Sequence, residues 1–284
     1  MSKTLSEIRE EIDAIDNNVH DLLMRRADLV NSVASAKKKE GLQIVQPARE
    51  AAMIRRLLKR HTGPLPKSTI IGIWRELVGA VALLQSGMTV SVVEEQKDSR
   101  GWELAKGYFG SAVPMKRVGN TAEAITSVLE DDTSFAVMPW PVQGEDMPWW
   151  GHLFVQKELS IITALPYGAE SLELSNEKAL ILSKIEFMDS GNDISLIGLE
   201  LKSDIRRDKI QDELGTLGME VLNIYSGASR FNDGSRVHLV EVLGFLKDSE
   251  SQIEKITKLF GNDYYNAVMI GGYPAMPEIN SKDA

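Results

Sequence analysis

The chain has 284 residues, a formal charge of −9, 43% hydrophobic and 26% charged residues, and no cysteine. This is globular composition, which excludes wholesale disorder, while the missing cysteines exclude disulfides, thiolate nucleophiles and thiolate-held metals. The acidic balance argues against general nucleic-acid binding, and His20, His61, His152 and His238 lack zinc-ligand spacing.

No uninterrupted apolar run approaches the length of a membrane span. The N-terminal stretch is mixed in charge and has no apolar secretion core. A soluble, cytoplasmic protein without membrane contact is expected. Charge is uneven: residues 1–87 carry 14 Lys and Arg against 10 Asp and Glu, a net of +4, and the remainder a net of −13. Such asymmetry suggests two jobs, with the basic segment the candidate site for a small anion.

Over residues 4–39, Leu5, Ile8, Ile12, Ile15, Val19 and Leu22 recur at spacings of three and four, one face of an amphipathic helix. At 1.5 Å per residue it is roughly 54 Å long, and Gly41 is a plausible stop. Pro47 starts a second helix at its first position. Met53, Ile54, Leu57 and Leu58 are its predicted buried face, and Gly63-Pro64-Leu65-Pro66 ends it. A third helix, over residues 68–85, carries Ile71, Trp74, Val78 and Val81 on one stripe. The two shorter helices cannot cover the long one. A second copy is expected to bury the surplus, giving an intertwined homodimer.

Three polar residues stand where these stripes ask for apolar ones: Arg26, Glu50 and Gln85. A buried charge is costly unless paired. Each residue alone is well explained by bending out to solvent near a helix end. All three together, with Arg9, Lys37 and Arg49 nearby in the pattern, point to a polar pocket inside the bundle. That pocket is rich in fixed cations, with one carboxylate and one amide, and it has no histidine base, obvious nucleophile or metal cluster. It suits a dianionic substrate whose reaction needs positioning and electrostatics rather than covalent chemistry.

These residues resemble the all-helical chorismate mutases over about residues 4–87. The resemblance rests on an ordered set: IREEIDAID with Arg9, LLMRRADL with Arg26, SAKK with Lys37, QPARE with Arg49 and Glu50, and IWRELVGAVALLQ with Gln85. It implies that chorismate is rearranged to prephenate. Arg9, from the partner subunit, and Arg26 would hold substrate carboxylates, with Arg49 supporting that network. Lys37 and Gln85 would hydrogen-bond the ether oxygen, and Glu50 would accept from the ring hydroxyl. Gln46 and Val81 depart from the family pattern, where an acidic residue and a serine are common. They bear on contacts around the substrate ring.

Beyond Gly87, short β-branched runs alternate with helical stretches. Strands are predicted at residues 89–94, 114–118, 134–139, 159–165 and 179–184, with helices at 99–109 and 121–129, a small α/β layer. Residues 194–271 read β-α-β-β-α-β, a ferredoxin-like order. The expected architecture is therefore multidomain α and α+β: a three-helix domain over 1–87, an α/β region over 88–190 and an ACT-like domain over 191–284.

The order of parts resembles bifunctional chorismate mutase–prephenate dehydratases that end in an ACT regulatory domain. FAVMPWPVQG looks like a degraded dehydratase strand and loop, and IGGYP like the close of the ACT domain. The dehydratase threonine-arginine-phenylalanine signature is replaced by Glu177-Lys178-Ala179, and the region is about one lobe too short. No dehydratase activity is expected. An amino-acid effector at the C-terminal unit is left open, since only Ser226 falls where part of an effector motif would be. The loop bearing Trp140, Trp149 and Trp150 reads slightly better as packing than as a ligand site. The competing classes are a bifunctional enzyme that still dehydrates prephenate and a non-enzymatic amino-acid-sensing dimer. No P-loop or dinucleotide fingerprint is present, so no cofactor or metal is expected.

Overall fold

The computed structural model describes residues 3–40, 43, 45–94, 100–168 and 177–275, with residues 31–40 through their backbone alone. Three helices come first: α1 (Leu5–Glu40), α2 (Pro47–Arg60) and α3 (Lys67–Ser86). Pro47 takes the first turn of α2, where its missing N–H costs nothing. Gly87 ends α3 in the left-handed conformation that glycine adopts without strain, its N–H bonded to the Leu83 carbonyl.

The long helix stands largely clear of the rest. On its apolar stripe Ile8 is 41% exposed and Leu5 64%, and Ile12, Ile15, Val19 and Leu22 lie between. A row of aliphatic side chains this long is rarely left in water.

The third helix is turned from the orientation its stripe predicts. Ile71, Arg75, Gly79 and Ala82 are its buried residues, while Val78 and Val81 stay partly open. Gly79 is the reason. Its bare backbone lies against the Phe109 carbonyl, where no Cβ would fit. Close approach there directs the 71–75–79–82 face inward. By length and composition α3 could cross a membrane, but its interior carries Arg75 in a buried ion pair and it packs on α4, as a core helix does.

The α/β region follows as β1 (Thr89–Val93), α4 (Gly101–Phe109), β2 (Met115–Val118), α5 (Thr121–Glu130), β3 (Ser134–Pro139), β4 (Ser160–Leu165) and β5 (Ala179–Ser183), with a 3-10 turn at Trp149–Phe154. Strands β2, β1 and β3 are parallel, joined by crossover helices as the alternating pattern requires. Asn120 caps α5 by accepting from the Glu123 N–H.

The ferredoxin-like order is present as β6 (Asp193–Lys202), α6 (Arg207–Thr216), β7 (Val221–Ala228), β8 (Ser235–Leu243), α7 (Ser249–Phe260) and β9 (Tyr264–Pro274). The α/β region and this unit are not separate sheets. All nine strands form one sheet in the order β2-β1-β3-β5-β4-β9-β6-β8-β7, and the join is β4 with β9, paired at Ile161 and Gly271. Gly271 has a positive φ and sits against the Ile161 backbone, so only glycine fits the seam.

The tryptophan loop is packing, as expected. Trp149 and Trp150 are buried, and the 3-10 turn shares one core with side chains from both halves of the sheet. The Trp149 indole donates to the Pro139 carbonyl at 3.0 Å and that of Trp140 to the Tyr225 hydroxyl at 2.9 Å. Phe154 and Pro148 press on Gly198 and Gly227, where side chains would collide. Ser226 turns its hydroxyl inward to His238 Nδ1 at 2.8 Å.

Candidate functional site

An open cavity of about 160 Å³ lies among the three helices, lined by Arg26 and Val30 of α1, Gln46, Arg49, Glu50 and Met53 at the start of α2, and Val78, Val81, Ala82 and Gln85 of α3. Six of the eight residues singled out from the sequence meet there: Arg26, Gln46, Arg49, Glu50, Val81 and Gln85. Arg9 lies exposed in the first part of α1 and does not line the cavity. Lys37 is on α1, and its side chain falls outside the described residues.

Each lining residue is placed by a local cause. Gln46 is the residue before α2 and its carbonyl accepts the Glu50 N–H at 3.0 Å, fixing the first turn that carries Arg49 and Glu50. The rotation of α3 that buries Gly79 swings Val78, Val81 and Gln85 to the cavity side. Gln85 Nε2 donates to the Val30 carbonyl at 2.9 Å, tying α3 to α1. An amide nitrogen has two hydrogens, so one N–H remains for a ligand.

Glu50 has a partner that the stripes do not reveal. Its Oε2 accepts from Arg75 Nη1 at 2.8 Å. The Arg75 side chain is 4% exposed and lies behind the cavity wall. Its Nε donates to the Tyr108 carbonyl at 2.6 Å, and its guanidinium stacks 3.8 Å from the Tyr108 ring centroid and 5.1 Å from that of Tyr167. Burial works against the charge on Arg75, but Tyr108, Glu50 and Tyr167 hold its pKa above the ordinary guanidinium value. Burial also pushes the Tyr108 phenol up to about 12 and that of Tyr167 higher, so both stay protonated near neutral pH. Glu50 is therefore the anion that balances Arg75. The sequence signal for Arg75 was weak: an arginine beside Trp74, one position off the expected stripe.

The result is a small cavity with two arginines, a carboxylate backed by a buried cation and an amide donor. Such a site can hold a compact dianion and offer a hydrogen bond where charge grows. Among the described residues no cluster of His, Asp and Glu could hold a metal ion.

Residues 8–86 match the family Chorismate mutase type II. The N-terminal segment is a chorismate mutase domain. Among curated relatives, the bifunctional chorismate mutase/prephenate dehydratase of Aquifex aeolicus is 26% identical over 139 residues, 48% of this chain and 38% of that protein. The chorismate mutase of Methanocaldococcus jannaschii is 41% identical over 64 residues, 22% of this chain and 65% of that protein. The chain thus spans well under half of the bifunctional relative's length. Among solved structures, the prephenate dehydratase from Streptococcus mutans covers 66% of this chain and 97% of its own, at 14% identity and a TM-score of 0.45.

Proposed function

We infer that the protein is a chorismate mutase that works as a dimer. The observation that carries this reading is the cavity: within the matched domain it gathers Arg26, Arg49, Glu50 and Gln85 around a space that suits a small dianion. The rearrangement of chorismate to prephenate is unimolecular. It needs no nucleophile or cofactor, only a substrate held in its reactive shape and donors aimed at the oxygen whose bond breaks.

In this reading Arg26, together with Arg9 of the second copy, holds the carboxylates, and Arg49 supports that network. The second N–H of Gln85, with Lys37, meets the ether oxygen, and Glu50 Oε1 accepts from the ring hydroxyl. Arg9 reaches the cavity of a second copy, docked along the exposed stripe of α1. That stripe supports the dimer, because a second α1 is the partner of matching length and pattern. Gln46 and Val81 face the substrate ring, one uncharged and one apolar. We read the chain as three parts, 1–87, 88–190 and 191–284, in a soluble cytoplasmic protein, with catalysis confined to the first. The inward hydroxyl of Ser226, bonded to His238, does not favour an amino-acid effector at the third part.

The test is loss of chorismate absorbance with the purified protein, its products separated by chromatography. Prephenate that accumulates and persists supports the reading. Conversion onward to phenylpyruvate would establish a bifunctional enzyme instead. No loss of chorismate from a folded dimer would overturn the mutase assignment.

A further inference from the structure

We propose that Arg75 is a positioning residue for Glu50, and that through it the α/β region sets the geometry of the helical site. The inference rests on the mutase reading above. Arg75 does not line the cavity, so it acts on a ligand only through Glu50.

Three contacts fix the guanidinium. The Nε–H meets the Tyr108 carbonyl at the last turn of α4, an acceptor without a partner inside its own helix. The planar face lies on the Tyr108 ring with Tyr167 beside it. The Nη1 group donates to Glu50 Oε2 at 2.8 Å. The next residue, Glu76, extends the attachment by accepting from the Ser111 N–H at 2.9 Å and its hydroxyl at 3.1 Å. The end of α4 therefore orients Arg75, and Arg75 orients Glu50. With Oε2 engaged, Oε1 is the oxygen available to a ligand in the cavity.

The charge has a second role. A carboxylate in a site built for a dianion repels the substrate it must touch. A cation on its far side offsets that repulsion without contacting the substrate or competing with Arg26 and Arg49 for it. An arginine on the cavity side would bind substrate; an arginine behind the wall tunes the group that does.

The experiment is a double-mutant cycle on the full chain, reading kcat and KM for chorismate. Arg75→Met in the wild-type background should lower kcat/KM by about tenfold or more, chiefly in kcat. In a Glu50→Gln background the same change should cost less than about threefold, because the residue it acts through is already altered. Arg75→Lys, which keeps the charge but loses the fork and the stack, should fall between wild type and Arg75→Met. If Arg75→Met does not fold, the cycle is run with Arg75→Lys against Glu50→Gln. Equal losses in both backgrounds, or no loss in either, would overturn the proposal. If wild type turns over no chorismate, the mutase reading falls separately. The clamp is then read from a crystal structure of Arg75→Met: the Glu50 carboxylate shifts from its place if Arg75 holds it, and an unmoved carboxylate refutes the inference.

Discussion

Helix α3 contains two glycines whose replacement by alanine should act in opposite directions. Both are helical, so each alanine gains about 1 kcal/mol of helix propensity. At Gly72 a Cβ meets nothing within 4 Å, and the gain should survive. At Gly79 the Cβ would fall on the Phe109 carbonyl, a backbone atom that cannot turn aside. Phe109 is itself buried in the core beneath α4, so that helix has nowhere to recede. Overpacking of this kind costs about 1–3 kcal/mol. Parting α3 from α4 also stretches the 2.6 Å bond from Arg75 to Tyr108, a charged hydrogen bond worth about 1.5–3 kcal/mol. After the propensity gain, Gly79→Ala should lose about 3 kcal/mol net, some 4 kcal/mol below Gly72→Ala. Urea unfolding followed by tryptophan fluorescence should separate the two midpoints by about 1 M or more. A Gly79→Ala midpoint at or above that of wild type would show that the helices are not in contact as described.

Gln85→Ala or Lys37→Ala should each lower chorismate turnover roughly a hundredfold or more, with the fold intact by circular dichroism; turnover within threefold of wild type would remove these residues from the reaction. Ile12→Asp with Ile15→Asp places two charges in the exposed stripe and should convert a dimer to monomer in analytical ultracentrifugation, with loss of activity; an unchanged sedimentation coefficient would place the interface elsewhere. Burial first, then Arg236 and Arg207, push the His238 pKa down from 6.5 to about 4. The unfolded chain therefore takes up this proton before the folded one. Its contribution is complete above pH 6.5 and is lost as pH falls towards 4, by about 3 kcal/mol. His238→Gln should lack that loss, and equal acid sensitivity of the two proteins would contradict the assignment.

The long helix was legible almost to the residue, predicted over 4–39 and found over Leu5–Glu40, because neither proline nor glycine interrupts it and glycine follows it. Arg26, Glu50 and Gln85 were legible as exceptions to a pattern, which is the form a buried polar site takes in a sequence. The orientation of α3 was not. Val78 and Val81 fit an apolar stripe as well as Ile71 does, and only the α4 backbone beside Gly79 decides which face turns inward. Arg75 was missed for the same reason: its carbonyl and aromatic partners lie more than thirty residues away, and no local period reports them. The joining of two predicted sheets into one depends on a single pair, Ile161 with Gly271, which neither strand's alternation encodes.

That seam also sets an order of events along the growing chain. Strand β9 pairs with β4 on one side and β6 on the other, and β6 lies some seventy residues upstream of it. Until β9 leaves the ribosome, β4 and β6 each present an open edge, a template for pairing with other chains. The helices and the α/β layer can form early from nearby contacts, whereas the sheet closes last, through its most distant pairings, which are the slow ones. A nascent chain stalled before residue 264 would hold the folded helical segment beside an unfinished sheet, and its hazard would be aggregation through the open edges.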